Sequence, residues 1–235
     1  MKILAFDGTA KAASVAVCEN EKPIAYYTVD NGLTQSELLL PMAENLLSSL
    51  KLDFSDIDIF ATSVGPGSFT GVRIGVSLIK GLAFGRKAPC VAVSTLEALA
   101  ENLVPLRGIL VPCMDARRNQ VYSATFRYGD AGLERLTEDR AIALDELAEE
   151  LLKFDEPIYL SGDGYAVAKK ALTAKGVKLS DTPELLILES AVSVAKVAYR
   201  KYEAGEHVSD SELSPTYLRL PQAERERLER LGQNS

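Results

Sequence analysis

From Ile3 to Tyr27 the chain runs in short apolar blocks separated by polar, turn-forming residues. Ile3–Phe6, Ser14–Val17 and Ile24–Tyr27 read as three short strands joined by tight turns, an antiparallel meander. The period then changes. From Leu38 to Leu50 apolar residues recur at helical spacing, with Pro41 in the first turn, where a missing amide is tolerated. Ile57–Val64 predicts a buried strand, Gly71–Phe84 a second helix and Cys90–Val93 another strand. Ser94 caps a third helix, and Glu97 three residues on completes a capping box.

The second half partly repeats the first. Ile109–Met114, Val121–Tyr128 and Leu133–Ala143 predict three strands, Asp145–Phe154 a helix, Pro157–Leu160 a strand and Tyr165–Lys175 a helix. Glu189–Glu203 predicts a long final helix, followed by an extended stretch at Ser214–Leu220. This element order matches the ribonuclease H-like unit, from which actin-like ATPases and sugar kinases are built twice over. The expected architecture is an α/β, two-lobed actin-like or sugar-kinase (ribonuclease H-like) fold with a duplicated unit and a degenerate second lobe. A boundary at "VPLRG", near Leu103–Gly108, gives an N-terminal lobe at residues 1–103 and a C-terminal lobe with a return helix at 104–220. A charged tail at 221–235 contains "QAERERLERLG", polar on nearly every face.

Two helices carry more apolar surface than one sheet can absorb. In Gly71–Phe84, Val72, Val76, Ile79 and Ala83 form one stripe suited to the lobe's own sheet. Gly71, Gly75, Leu78 and Leu82 form a second apolar face turned away from it. Glycine inside a helix is unfavourable by about 1 kcal/mol against alanine, so Gly75 implies close approach of another backbone. The Leu38–Leu50 helix has the same excess, with Leu39, Met42 and Leu46 among its apolar positions. The two helices could simply pack on each other. The surplus favours an interface with another subunit, and Leu39, Met42, Leu46, Gly71, Gly75, Leu78 and Leu82 are the residues assigned to it.

Charge and chemistry narrow the function. A formal net charge of −7 argues against an unaided grip on a phosphate backbone. No apolar run approaches membrane-spanning length and "MKILAFDG" is too short for a signal peptide, which predicts a cytoplasmic protein without membrane attachment. Cys18, Cys90 and Cys113 are odd in number and far apart, which predicts buried, reduced thiols. The loop "SVGPGSFTGVRIG" (Ser63–Gly75) lacks the Gly-Lys pair of a P-loop, and Gly65, Gly67 and Gly71 miss the dinucleotide spacing by one residue. Taken alone it reads as a glycine-rich turn leading into a helix capped by Ser68 or Thr70.

The whole pattern resembles the TsaB family of bacterial tRNA threonylcarbamoyladenosine biosynthesis proteins. The resemblance rests on "SVGPGSFTGVRIGVSLIKGLA", "MKILAFDGT", "LLLP" at Leu38–Pro41, "VSTLEALA" at Val93–Ala100, "MDARRNQVY" at Met114–Tyr122 and "PTYLR" at Pro215–Arg219, in family order over nearly the full chain. Two positions depart from the family pattern. Gln35 stands where a histidine is common, and the first turn reads Asp7-Gly8-Thr9 rather than Asp-Thr-Ser. The resemblance implies a non-catalytic partner of TsaD, the subunit that transfers threonylcarbamoyl to N6 of adenosine 37 in tRNAs reading ANN codons. It implies pairing through the first two helices of the N-terminal lobe, recruitment of the ATPase TsaE, a possible homodimer through the same helices, and tRNA contact only through the complex.

The chemistry agrees by what it lacks. TsaD-like enzymes hold a metal with H-x-x-x-H, whereas His207, in "AGEHVSD", is this chain's only histidine. No catalytic residue, metal or cofactor is expected. The alternative is an active actin-like ATPase or small-molecule kinase, in which an Asp-x-Gly-Thr turn of each lobe grips phosphate. Asp7 and Thr9 partly fit such a turn and could make a weak nucleotide contact. The second-lobe counterpart, Asp115-Ala116-Arg117-Arg118, lacks the glycines that would let amides approach phosphate.

Overall fold

The computed structural model describes residues 1–219; the expected charged tail at 221–235 lies outside them. The first unit consists of strands β1 (Lys2–Asp7), β2 (Ala13–Glu19) and β3 (Lys22–Val29), helix α1 (Gln35–Leu50), strand β4 (Ile59–Ser63), helix α2 (Phe69–Ala83) and strand β5 (Cys90–Val93). Its sheet has the order β3-β2-β1-β4-β5, antiparallel across the first three strands and parallel from β1 to β5. Alternation within β1 separates the two faces. Leu4 and Phe6 meet α1 and α2, while Ile3 and Ala5 meet helix α6 (Ala191–Glu203). The α6 side is built from small residues, Ala5, Ala16 and Ala61 against Ala191, Ala195 and Ala198, so the helix can lie close to the strands.

Local chemistry explains the helix starts. α1 begins at Gln35, three residues before the expected Leu38, because the Glu37 carboxylate accepts from the Thr34 N–H (2.8 Å) and hydroxyl (2.6 Å). Pro41 therefore lies in the second turn, not the first, and leaves the Glu37 carbonyl without its helical donor. Of the two caps weighed for α2, Ser68 is the one in place: its Oγ accepts from the Gly71 N–H at 3.3 Å. Ser94 caps helix α3 (Thr95–Asn102) through the Glu97 N–H (3.2 Å), but the Glu97 carboxylate turns to Arg135 (3.8 Å) instead of closing the box.

The second unit follows the same plan with breaks. Strand β6 (Gly108–Asp115) lies where the first unit has β1, and β11 (Ile158–Ser161) runs parallel beside it as β4 does beside β1. The expected strand Val121–Tyr128 is split into β7 (Gln120–Ser123) and β8 (Phe126–Gly129). Leu133–Ala143 is likewise split, into β9 (Gly132–Arg135) and β10 (Arg140–Ala143). The cause lies in β6. Its pairing with β8 ends at Leu110 and its pairing with β7 starts at Cys113, with Pro112, which has no N–H, in the gap. The Ser123 hydroxyl donates to the Pro112 carbonyl (2.8 Å) and Thr137 Oγ1 accepts from the Thr125 N–H (2.8 Å), so side chains supply what the ladder lacks. Helices α4 (Leu144–Leu151) and α5 (Tyr165–Ala174) flank this sheet, and a fifth strand survives only as one bridge from Ile158 to Leu179.

The chain thus forms the two-lobed actin-like, ribonuclease H-like fold expected from its element order, with the second copy reduced. The connecting helices cross between the sheets: α3 packs Leu96, Leu99 and Leu103 against Leu110 and Phe126 of the second sheet, and α6 returns to the first. Beyond α6 the chain runs back over the first lobe. Val208 bridges Cys90, Leu213 enters the core beneath α2, and the Thr216 N–H donates to the Val64 carbonyl (2.8 Å). Arg219 then reaches the second lobe, donating to the Ala116 carbonyl at 3.3 Å.

Candidate functional site

Two places concentrate chemistry: the junction where the strand ends of both lobes meet, and the outer face of α1 and α2. Parallel strands in α/β folds present their carboxyl ends to ligands, and here Asp7, Ser63, Asp115 and Ser161 end β1, β4, β6 and β11. Asp7 is buried with both oxygens engaged. Oδ1 accepts from the Thr9 N–H (2.9 Å) and hydroxyl (2.7 Å), and Oδ2 accepts from the Ser63 hydroxyl (2.5 Å). Burial pushes its carboxyl above the ordinary carboxylate range, opposed by the Ser63 and Thr9 donors. Thr9 is fully buried too, and its carbonyl accepts from the Ser68 N–H at 2.7 Å. The structure thus brings Asp7 and Thr9 together but turns them inward, under the glycine-rich turn.

That packing accounts for Gly65 and Gly71 of the Ser63–Gly75 loop. A Cβ on Gly71 would stand 1.9 Å from the Gly8 carbonyl oxygen. Gly65 has φ +117°, and a Cβ there would meet the Thr216 carbonyl at 2.6 Å. The backbone that approaches α2 closely therefore belongs to the same chain. At Gly75 the near neighbour is Thr62 Oγ1 of β4, 2.8 Å from a built Cβ.

One residue of the junction escaped the sequence reading. Glu189, expected as the first residue of the last helix, lies ahead of its cap Ser190 and is 2% exposed; among the described residues only the backbone amides of Glu189 itself and Asp163 approach its carboxylate, and neither reaches hydrogen-bond geometry. Burial first, then the charges of Asp7 and Asp163, push its carboxyl up to about 8. Nothing local in "LESAVS" signals this, because the neighbouring charges come from distant segments. In the second lobe the Asp115 N–H donates to Asp163 (2.8 Å), and Asp115 accepts from the Arg117 N–H (2.8 Å). Gly162 and Gly164 of "SGDG" press on the Cys113 carbonyl, which a Cβ would meet at 2.4 and 2.8 Å.

The helices assigned to a partner divide differently from the expectation. Leu39, Met42, Leu46, Gly71 and Gly75 are buried in the chain's own core, because α1 and α2 both press onto the first sheet. Leu78 and Leu82 are only partly buried, as are Leu38 and Ile74. The partly exposed apolar row on α2 is therefore Ile74, Leu78 and Leu82, four residues apart, while Leu40 (37% exposed) on α1 and Phe84 (77%) just past α2 are more open. A cleft of about 580 Å³ opens between the N-terminal ends of these helices, beside Lys11, Leu33, Thr34, Thr70 and Ile74. At its wall Gln35 Nε2 donates to the Ala10 carbonyl (2.8 Å).

The remaining groups are quiet. Cys18, Cys90 and Cys113 are buried and unpaired, with burial raising the first two thiols to about 11 and Cys113 to about 12. His207 is exposed and rests against Tyr202 (5.1 Å between centroids). Among the described residues no group of three His, Cys, Asp or Glu side chains could hold a metal ion. No described helix is long and apolar enough to cross a membrane.

With this geometry in place, comparison with known proteins points one way. The family model described as TsaD, tRNA N6-adenosine threonylcarbamoyltransferase, matches residues 34–226. The tRNA threonylcarbamoyladenosine biosynthesis protein TsaB of Bacillus subtilis is 34% identical over 73% of this chain and 75% of its own length. Its namesake in Haemophilus influenzae is 32% identical over 93% of this chain and 94% of its own. A tRNA N6-adenosine threonylcarbamoyltransferase of Gluconobacter oxydans matches at 36% identity, over 41% of this chain and 27% of that one. A crystal structure from Pseudomonas aeruginosa, described as an uncharacterized protein similar to peptidase YeaZ, superposes with a TM-score of 0.77. It is 24% identical over 93% of this chain and 99% of its own, a likeness of fold.

Proposed function

The chain belongs to the TsaB family of tRNA threonylcarbamoyladenosine biosynthesis proteins, and from that premise we propose that it is the non-catalytic partner of TsaD. In this reading TsaD carries out threonylcarbamoyl transfer to N6 of adenosine 37 in tRNAs reading ANN codons, and TsaE joins the pair in the cytoplasm. The observation that carries the proposal is the row Ile74, Leu78 and Leu82, left partly exposed on a helix whose inner face already fills the core. A second copy of the chain competing for the same row would form the homodimer. Asp7 supports the non-catalytic part: it is buried, and both of its oxygens accept from Thr9 and Ser63, which turns the carboxylate inward, away from any magnesium or water at the strand ends.

The experiment pairs Leu78→Asp and Leu82→Asp with the wild type in reconstituted transfer alongside TsaD. Each substitution should weaken TsaD binding at least about tenfold and lower tRNA threonylcarbamoylation in proportion. Thermal unfolding of the isolated variants should stay close to wild type. TsaD fully active without this chain would sink the partner role. Magnesium-dependent phosphate release by the isolated chain at about 1 per second or more, lost in Asp7→Ala, would establish the ATPase alternative.

A further inference from the structure

The β6–β7 hairpin turn has an unusual backbone. Arg117, Arg118 and Asn119 lie consecutively in the left-handed region, at φ +63°, +53° and +60°. Non-glycine residues visit that region as single residues, because Cβ crowds the following carbonyl. Such a run persists only where its surroundings hold it, and both shoulders of this turn are held. Asp115 accepts from the Arg117 N–H, the Gln120 N–H donates to the Arg117 carbonyl (3.1 Å), and the Leu144 N–H donates to the Asn119 carbonyl (3.2 Å). Arg219, arriving from the first lobe, donates to the Ala116 carbonyl and to Gln120.

What this braced turn displays is positive. Arg117 pairs with Asp115 through Nη1 (3.1 Å), yet its side chain is 85% exposed. Arg118 is exposed, and among the described residues no carboxylate pairs with it. No described residue accepts from the amide N–H groups of Arg118 and Asn119 either. Two guanidiniums and two open amides on one curl suit the several acceptor oxygens of a phosphate better than a single carboxylate.

We propose that the Arg117–Asn119 turn is a contact for the phosphate backbone of RNA, adding a fixed foothold on tRNA from the non-catalytic subunit. The proposal rests on the role in tRNA modification put forward above. The chain's net charge of −7 opposes RNA binding at long range, so the contact acts after the transferase subunit has brought tRNA close. It positions the substrate without choosing its sequence, since phosphate contacts carry no base information.

The test is tRNA-dependent transfer by the reconstituted complex over a range of salt concentrations. It compares wild type with the double variants Arg117→Ala/Arg118→Ala and Arg117→Lys/Arg118→Lys. The alanine pair should raise KM for tRNA about tenfold with kcat nearly unchanged, and flatten the logarithmic salt dependence by about 1–2. The lysine pair should restore most of the slope. A wild-type KM and slope in the alanine pair would overturn the proposal. So would loss of binding to the transferase subunit with KM for tRNA unchanged, which would make the turn a protein contact. If the wild-type chain supports no transfer at all, the partner reading itself falls. The inference falls with it, because the turn is proposed to act only on tRNA that the transferase subunit has already engaged.

Discussion

Replacing Glu189 with glutamine isolates the effect of one carboxylate buried without a cation to pair with it among the described residues. The perturbation is small in shape, since the amide keeps the size of the carboxyl and removes only its ability to ionise. Burial, together with Asp7 and Asp163, holds the folded-state carboxyl near 8, against 4.5 for an unperturbed glutamate. The folded protein therefore binds more protons than the unfolded chain between those values, and its stability falls as pH rises through that window. The stabilising effect of the neutral form is fully present below about 4.5 and lost above about 8. At about 1.4 kcal/mol per pH unit, Glu189→Gln should be about 1 kcal/mol more stable than wild type at pH 5, aside from any constant offset, and about 3–5 kcal/mol more stable at pH 9. For a chain of this length the pH 9 difference amounts to a Tm shift on the order of 10 °C. Urea unfolding of both proteins at several pH values between these limits measures the gap directly. Asp7 is present in both, so the difference reports Glu189 together with its coupling to Asp7. Parallel stability curves across the window would refute the reasoning and mean that the Glu189 carboxyl is solvated in the folded state.

Within α2, Gly71→Ala should destabilise the protein by about 3 kcal/mol, because the new Cβ would stand 1.9 Å from the Gly8 carbonyl. In the same helix Gly81→Ala meets nothing within 4 Å and should gain up to about 1 kcal/mol of helix propensity; similar denaturation midpoints for the two would contradict the packing account. With its three thiols buried and shifted to about 11 or 12, the native protein should resist a thiol reagent at pH 8 and react fully in denaturant. Labelling of any cysteine in the native state at the rate of a free thiol would show that the site opens.

Much of this protein is legible in local sequence, because helices and strands answer to short-range periodicity. The meander Ile3–Tyr27, the two helices after it and the capping serine at 94 all follow from residue spacing within a few turns of chain, and spacing narrows the α2 cap to Ser68 or Thr70. Thr34 and Glu37 were equally readable as a helix start, but the apolar run beginning at Leu38 is the louder signal and moved the expected boundary. The split strands of the second lobe were not readable where they break, since the proline responsible sits in the neighbouring strand β6. Periodicity also showed that α1 and α2 are apolar on more than one side without showing which side is inside. Leu39, Met42 and Leu46 went to the core, and Leu78 and Leu82 stayed near the surface, only once the sheet was assembled beneath them.

The sequence by itself determined the element order of the first unit, the duplicated fold and the family. Tertiary structure alone decided that Gly71 faces Gly8, that Arg219 braces the second lobe's turn and that Glu189 lies within reach of Asp7's charge. A spacing rule sees only neighbours along the chain, whereas burial and electrostatic coupling depend on distance through the folded protein, where residues far apart in sequence share one low-dielectric environment.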